Sequence, residues 1–238
     1  MKKYFLPLFV FLFFINSFNI KAQSIKLGLR GGINIASLSF DPDISTALPG
    51  MSNSNRTAFL AGGIVQLDLA GPISLKIEPT YIQKGAIIEG NNIPFDISGQ
   101  QIQIENLKIS YKLGYLEIPI LLRASIPLPQ VKPYAEVGPA IGFNLSSSFT
   151  MDLTYGGQNI SEDIDNKDNT SSTEFGLIFG AGIEYSVNPL VSFIVDGRYS
   201  LGLSDLSKGQ TTADQQNGQN AKIKSSGIQI TFGIMFGL

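Results

Sequence analysis

Residues 227–238 read GIQITFGIMFGL. Ile228, Ile230, Phe232, Ile234, Phe236 and Leu238 take every second position, with Gly227, Gln229, Thr231, Gly233, Met235 and Gly237 between them. Successive side chains of a strand point to opposite faces, so this is a strand with one apolar face and one small or polar face. Chain ends usually fray. A strand this regular at the last residues calls for a partner that holds it.

Seven earlier segments repeat the pattern. Segment 25–36, IKLGLRGGINIA, sets Ile25, Leu27, Leu29, Ile33 and Ile35 against Lys26, Gly28, Arg30, Gly32 and Asn34. Segments 57–69, 73–88, 110–126, 131–147, 173–187 and 190–203 alternate in the same way, and no helical period competes with them. Ala70-Gly71-Pro72, Pro127-Leu128-Pro129-Gln130 and Asn188-Pro189 mark tight turns. Between them, 37–56, 89–109, 148–172 and 204–225 are long, polar connections rich in Asn, Ser, Asp, Gln and Gly. Long and short connections alternate strictly, as in an up-and-down hairpin plan. Pro119 and Pro139 fall inside strands, where each removes a ladder donor, and local bulges are expected there.

Alternation does not say which face is outside. In a lipocalin-like barrel the apolar face fills the interior; in an outer-membrane barrel it faces lipid and charges line the lumen. The other face decides. It is rich in Gly and carries isolated charges of both signs: Lys26, Arg30, Lys76, Glu78, Glu117, Arg123, Lys132, Glu136, Glu184, Asp196 and Arg198. Charged residues are 15% of the chain, against about 25% in an ordinary soluble domain, too thin a coat for a soluble surface. Each Lys or Arg facing lipid would cost about 2–4 kcal/mol at the bilayer midplane. Inside a narrow barrel the two signs pair instead. The expected lumen network is Arg30, Lys76, Glu78, Glu117, Arg123, Lys132, Glu136, Glu184, Asp196 and Arg198. Arg123 is expected to face Glu117 or Glu136. Gly28, Gly32, Gly138, Gly142, Gly180 and Gly182 make room for Arg and Tyr on neighbouring strands.

The expected fold is therefore all-β: an eight-stranded antiparallel up-and-down transmembrane β-barrel, with four long outer loops and short periplasmic turns. Pairing the last strand with the first closes the barrel and abolishes both edges. Residues 1–23, MKKYFLPLFVFLFFINSFNIKAQ, place two lysines before an apolar run from Tyr4 to Ile15. This reads as a signal peptide, because the run is shorter than the ~20 residues a membrane-spanning helix needs. Residues 24–238 then form one barrel domain. The chain has no Cys, which removes disulfides and thiolate metal sites, and its net charge of −2 offers no surface for nucleic acid.

The stretches KLGLRGGIN (26–34), IEPTYIQKGA (77–86), YLEIPILLR (115–123), YAEVGPAIGF (134–143) and the final strand resemble the PorT-like outer-membrane β-barrel family. That resemblance implies an eight-stranded barrel in the outer membrane of a Gram-negative cell. It also implies an accessory part in protein secretion, as for the namesake, although most relatives have no assigned activity. An apolar alternating final strand resembles the signal read by barrel assembly machinery, with Phe232, Phe236 and Leu238 as its recognition residues.

No catalytic site is expected. The chain has no His, so no Ser-His or His-carboxylate pair exists. Residues 162–169, EDIDNKDN, lack the Gly and terminal Glu of a calcium loop and place Lys167 where a ligand belongs, so they read as solvated loop. No cofactor or metal is implied. The reading that remains is a non-enzymatic structural or interaction barrel. Its partners are outer-membrane lipid, the assembly machinery during biogenesis, and an extracellular or secretion-system component reached through the loops.

Overall fold

The computed structural model describes residues 24–41, 43–47, 50–97, 100–208 and 222–238; the leader at 1–23 lies outside them. The strands are β1 (Ile25–Asp41), β2 (Met51–Ala70), β3 (Ile73–Ile77), β4 (Thr80–Lys84), β5 (Ala86–Ile97), β6 (Gln100–Ser125), β7 (Val131–Tyr155), β8 (Gln158–Asp165), β9 (Thr173–Ser186), β10 (Val191–Gly202) and β11 (Lys222–Gly237). A single-turn α-helix, α1 (Ile44–Ala47), lies between β1 and β2 in the chain. All strands belong to one antiparallel sheet. β11 pairs with β10 on one side and with β1 on the other, from Lys26↔Gly237 to Asp41↔Lys222, which closes the ring. β3, β4 and β5 share one wall between β2 and β6, and β8 folds back on the outer part of β7, so the ring has eight walls.

The interruption between β3 and β4 has a local cause. Glu78 N–H donates to the Pro119 carbonyl at 3.2 Å, but Pro119 has no N–H to return. The Glu78 carbonyl accepts from Thr80 Oγ1 at 2.9 Å instead. The missing ladder donor is replaced by a side chain, and the wall stays in register from Ile77↔Ile120 to Thr80↔Glu117. The bulges expected at Pro119 and Pro139 are absent among these pairings: Pro139↔Leu177 continues the β7–β9 ladder, and on the β6–β7 pair the positions between Pro119↔Ala140 and Leu122↔Val137 go unpaired without a change of register. The register shift on the β6–β7 pair falls at Gly114/Tyr115.

The long connections lie at one end and the tight turns at the other, but much of their length is strand. β5 and β6 stay paired as far as Ile97↔Gln100. β7 runs on to Tyr155 and turns through Gly156 (φ +58°) and Gly157 (φ +73°) into β8, so residues 158–165 are strand rather than loop. Two successive positive-φ residues suit a two-residue hairpin turn whose twist matches its strands. Of 204–225, residues 209–221 lie outside the described residues.

The barrel has two differently built halves. Toward the turn end, outward positions are large and apolar: Leu29, Phe59, Leu122, Phe179, Ile183 and Phe232 are all exposed, Leu29 by 67%. Toward the hairpin end the polarity inverts. On β6, inward positions keep odd numbers from Leu107 to Arg123, yet they change from Glu117 and Arg123 to Leu107 and Leu113. On β1, Arg30 and Asn34 give way to Ala36 and Leu38 on the same inward face. Leu38, Leu60, Ile82, Leu113 and Leu206 form one apolar cluster there, and Met51, Ile88, Ile93, Ile104 and Leu107 form another above it. Water surrounds this half, so its side chains follow the rule of a soluble core. Lipid surrounds the other half, so its rule is reversed.

Candidate functional site

Inside the lipid-facing half, inward positions on β1, β3, β4, β6, β7, β9 and β10 carry charge, grouped at three levels, while β11 contributes the neutral Gln229 and Thr231. The central group sets Arg30 (β1), Lys76 (β3) and Arg198 (β10) against Glu78, Glu136 (β7) and Asp196 (β10). Glu78 accepts from Arg30 and Arg198 and lies 2.7 Å from Lys76 Nζ. Lys76 reaches Glu136 at 3.0 Å, and Arg198 Nε lies 2.7 Å from Glu136 and 2.8 Å from Asp196. Asp196 also accepts from Tyr134 OH at 2.9 Å and Thr231 Oγ1 at 2.7 Å. Three cations meet three carboxylates, with the Lys76, Glu78, Glu136, Asp196 and Arg198 side chains fully out of water. Buried charges are tolerated only when so paired and hydrogen-bonded.

Near the hairpin end, Lys84 Nζ lies 2.6 Å from Glu117 and 3.0 Å from Glu174, above the Tyr115 ring. Ser225 Oγ donates to Glu174. Near the turn end, Glu184 is held by Lys26 Nζ at 2.8 Å and Arg123 Nη2 at 2.5 Å. Arg123 also donates to Gln66 Oε1 at 2.9 Å and lies 3.7 Å over the Tyr134 ring. Ile64, Ile194 and Met235 form one apolar cluster inside the wall, and Leu121, Ala140 and Ile178 another.

The structure therefore distributes the expected network unevenly. Arg123 faces Glu184, not Glu117 or Glu136, because Lys84 occupies the one and Lys76 with Arg198 the other. Lys132 makes no ion pair among the described residues; it sits half-buried at the mouth, where water can solvate it. Lys84 and Glu174 belong to the network although the sequence reading left them out. Both stand on the inward phase of their strands, Lys84 in step with Lys76, Glu78 and Thr80, and that phase was the available signal.

Glycine marks where the large groups pass. A Cβ on Gly180 would lie 2.7 Å from Arg198 Cγ, one on Gly182 2.7 Å from Tyr134 Cζ, and one on Gly142 3.2 Å from Tyr115 Cδ1. On the opposite face, Phe232, Phe236 and Leu238 all point outward and are exposed. Phe232 packs on Phe193 of β10 at 5.8 Å between ring centroids, and Leu238 N–H donates to the Ile25 carbonyl at 2.9 Å.

Among the described residues no group of His, Cys, Asp or Glu could hold a metal ion. What the arrangement does chemically is neutralise itself: each carboxylate in the three groups has a cation in contact.

The model of a family described as "Outer membrane protein beta-barrel domain" matches residues 21–208. No curated protein matches the sequence. Among solved structures, Neisserial surface protein A is 13% identical, with 88% of this chain and 96% of that one covered at a TM-score of 0.43. The attachment invasion locus protein Ail of Yersinia pestis is 14% identical, with 87% and 97% covered at 0.36. The outer membrane protein OprG of Pseudomonas aeruginosa is 13% identical, with 90% and 97% covered at 0.39.

Proposed function

The chain belongs to the family of outer membrane protein β-barrel domains, and from that premise we propose that it is a non-enzymatic structural or interaction protein that works through its outer hairpins. Its place is the outer membrane, with the short turns toward the periplasm and the long hairpins outside. One observation carries the reading. Among the described residues the interior beyond the turn-end mouth is occupied, by paired charges across the lipid-facing half and by apolar side chains across the outer half. A filled interior leaves the exterior as the working surface. Among the described residues the β7–β8 hairpin stands out, since seven of the eight β8 residues are exposed.

The non-catalytic part of this reading rests on the sequence, which has no His for a Ser-His or His-carboxylate pair. The narrower PorT-like assignment rests on the sequence stretches quoted above, and no feature of the lumen or hairpins favours a secretion role over a general interaction role.

The test replaces residues 150–163 by a Gly-Ser turn. A barrel that still migrates as a folded, heat-modifiable species, yet loses the neighbours it crosslinks to in intact outer membranes, is the expected result. Unchanged crosslinking would move the working surface away from this hairpin.

A further inference from the structure

At the turn end the balance of charge breaks. Lys132 stands directly opposite Glu184 in the β7–β9 register, yet both oxygens of that carboxylate are taken, one by Lys26 and one by Arg123. Lys26 and Arg123 thus use up the Glu184 carboxylate, and Lys132 stands beside it without an ion pair among the described residues. The Asp68 side chain at this end accepts from Ser24 Oγ and Gln66 Nε2 and does not border the opening. The surplus borders a cavity of about 340 Å³ between the β6–β7 and β9–β10 turns, with Gln130, Ser186 and Ser192 as further hydrogen-bonding groups on its wall. Val187 and Leu190 on its rim leave apolar side chains exposed.

We propose that this mouth is an oxyanion site that takes a phosphate group, free in the periplasm or carried by a glycerophospholipid headgroup of the inner leaflet. Two ammonium groups serve phosphate as point charges with rotatable donors, and hydroxyl and amide groups supply neutral donors to the remaining oxygens. The cavity falls in the size range of small-molecule sites, about 300–1,000 Å³, which leaves room for a glycerol attached to the phosphate. The apolar rim suits the start of an acyl chain.

The experiment uses the full barrel in maltoside micelles, which contain no phosphate. Phosphorus NMR follows inorganic phosphate in one series and a short-chain phosphatidylglycerol mixed into the micelles in the other. Saturable broadening in at least one series is expected. Lys132→Met should weaken it about tenfold, whereas Lys132→Arg and the outer-hairpin control Lys112→Met should retain it. Response to inorganic phosphate identifies a soluble ligand; response to the lipid alone identifies a headgroup. Heat-modifiable migration reports folding, and Lys132→Gln replaces the Met variant if that one fails to fold. No saturable response in either series, or equal binding by the folded Lys132 variants and the wild type, overturns the proposal.

Discussion

Arg123 is 1% exposed and touches three groups at once: the Glu184 carboxylate, the Gln66 amide oxygen and the Tyr134 ring. Removing one partner of a buried pair typically costs about 3–5 kcal/mol, because the other charge stays buried, while removing both can be nearly neutral. Arg123→Met should therefore lower the urea midpoint of the refolded barrel sharply, and adding Glu184→Gln should recover most of the loss. Glu117→Gln and Glu136→Gln should not rescue, since those carboxylates serve Lys84 and the Lys76–Arg198 pair. Rescue by either would mean that the lumen repacks. At the outer end, partial burial pushes the Asp205 carboxyl up, but N–H groups of Ile223 and Ser207 and the Ser207 hydroxyl outweigh it and hold the group below its ordinary value. With the folded value depressed, its stabilisation is present above the unfolded pKa of about 3.9 and fades as pH falls through the folded one. Hydrogen exchange at the Ile223 amide, corrected for intrinsic rates, should lose protection over that window. Asp205→Ala, which removes the acceptor, should already lack this protection at neutral pH.

Among the elements, β6 shows how one strand serves two solvents. Leu107 and Leu116 are both apolar, but Leu107 is buried in the outer cluster and Leu116 faces lipid. Leu107→Ala should cost about 2–5 kcal/mol by leaving a cavity, and limited proteolysis should then cut the outer hairpins while the lipid-embedded walls survive. Leu116→Ala leaves no internal cavity and should give the wild-type digestion pattern. Identical digests from the two variants would contradict an outer apolar core. β11 is the second informative element, since it completes both the β1 and β10 ladders. Deleting Phe236-Gly237-Leu238 removes the pairs Lys26↔Gly237, Leu27↔Phe236 and Val191↔Phe236 and unzips the closure from the turn end. Loss of the folded species from outer membranes is expected. Normal accumulation of a urea-resistant truncated barrel would show that closure tolerates the shorter edge.

For the whole molecule the consequence is a closed lumen. An eight-walled ring has an interior that side chains alone can fill, and Arg123, Tyr115, Lys76 and Glu78 are among the largest fully buried groups here. Protein in planar bilayers should show no steady single-channel steps. Reproducible steps that vanish on changing Arg123 or Glu136 would place solute passage through the lumen and return function from the hairpins to the pore.

The alternation in GIQITFGIMFGL and the segments before it was enough to establish an all-β chain, because period two is a property of the strand itself. The thin, mixed charges on the second face were enough to turn that face inward, because lipid cannot solvate them. Both inferences depend on one strand at a time. Local sequence did not show that Pro119 stays in register, since the repair comes from Thr80 on the neighbouring wall. Nor did it show that residues 148–165 form a hairpin, because their polar composition reads as loop until the ladder is seen. The outer polarity switch was written at Gly114, where apolar positions change from odd to even, but it acquires meaning only once a common inward face is known. Partner choice was the least legible. Whether Arg123 meets Glu117, Glu136 or Glu184 depends on how the closed walls bring side chains from distant strands to one level, and only closure of the ring decides that.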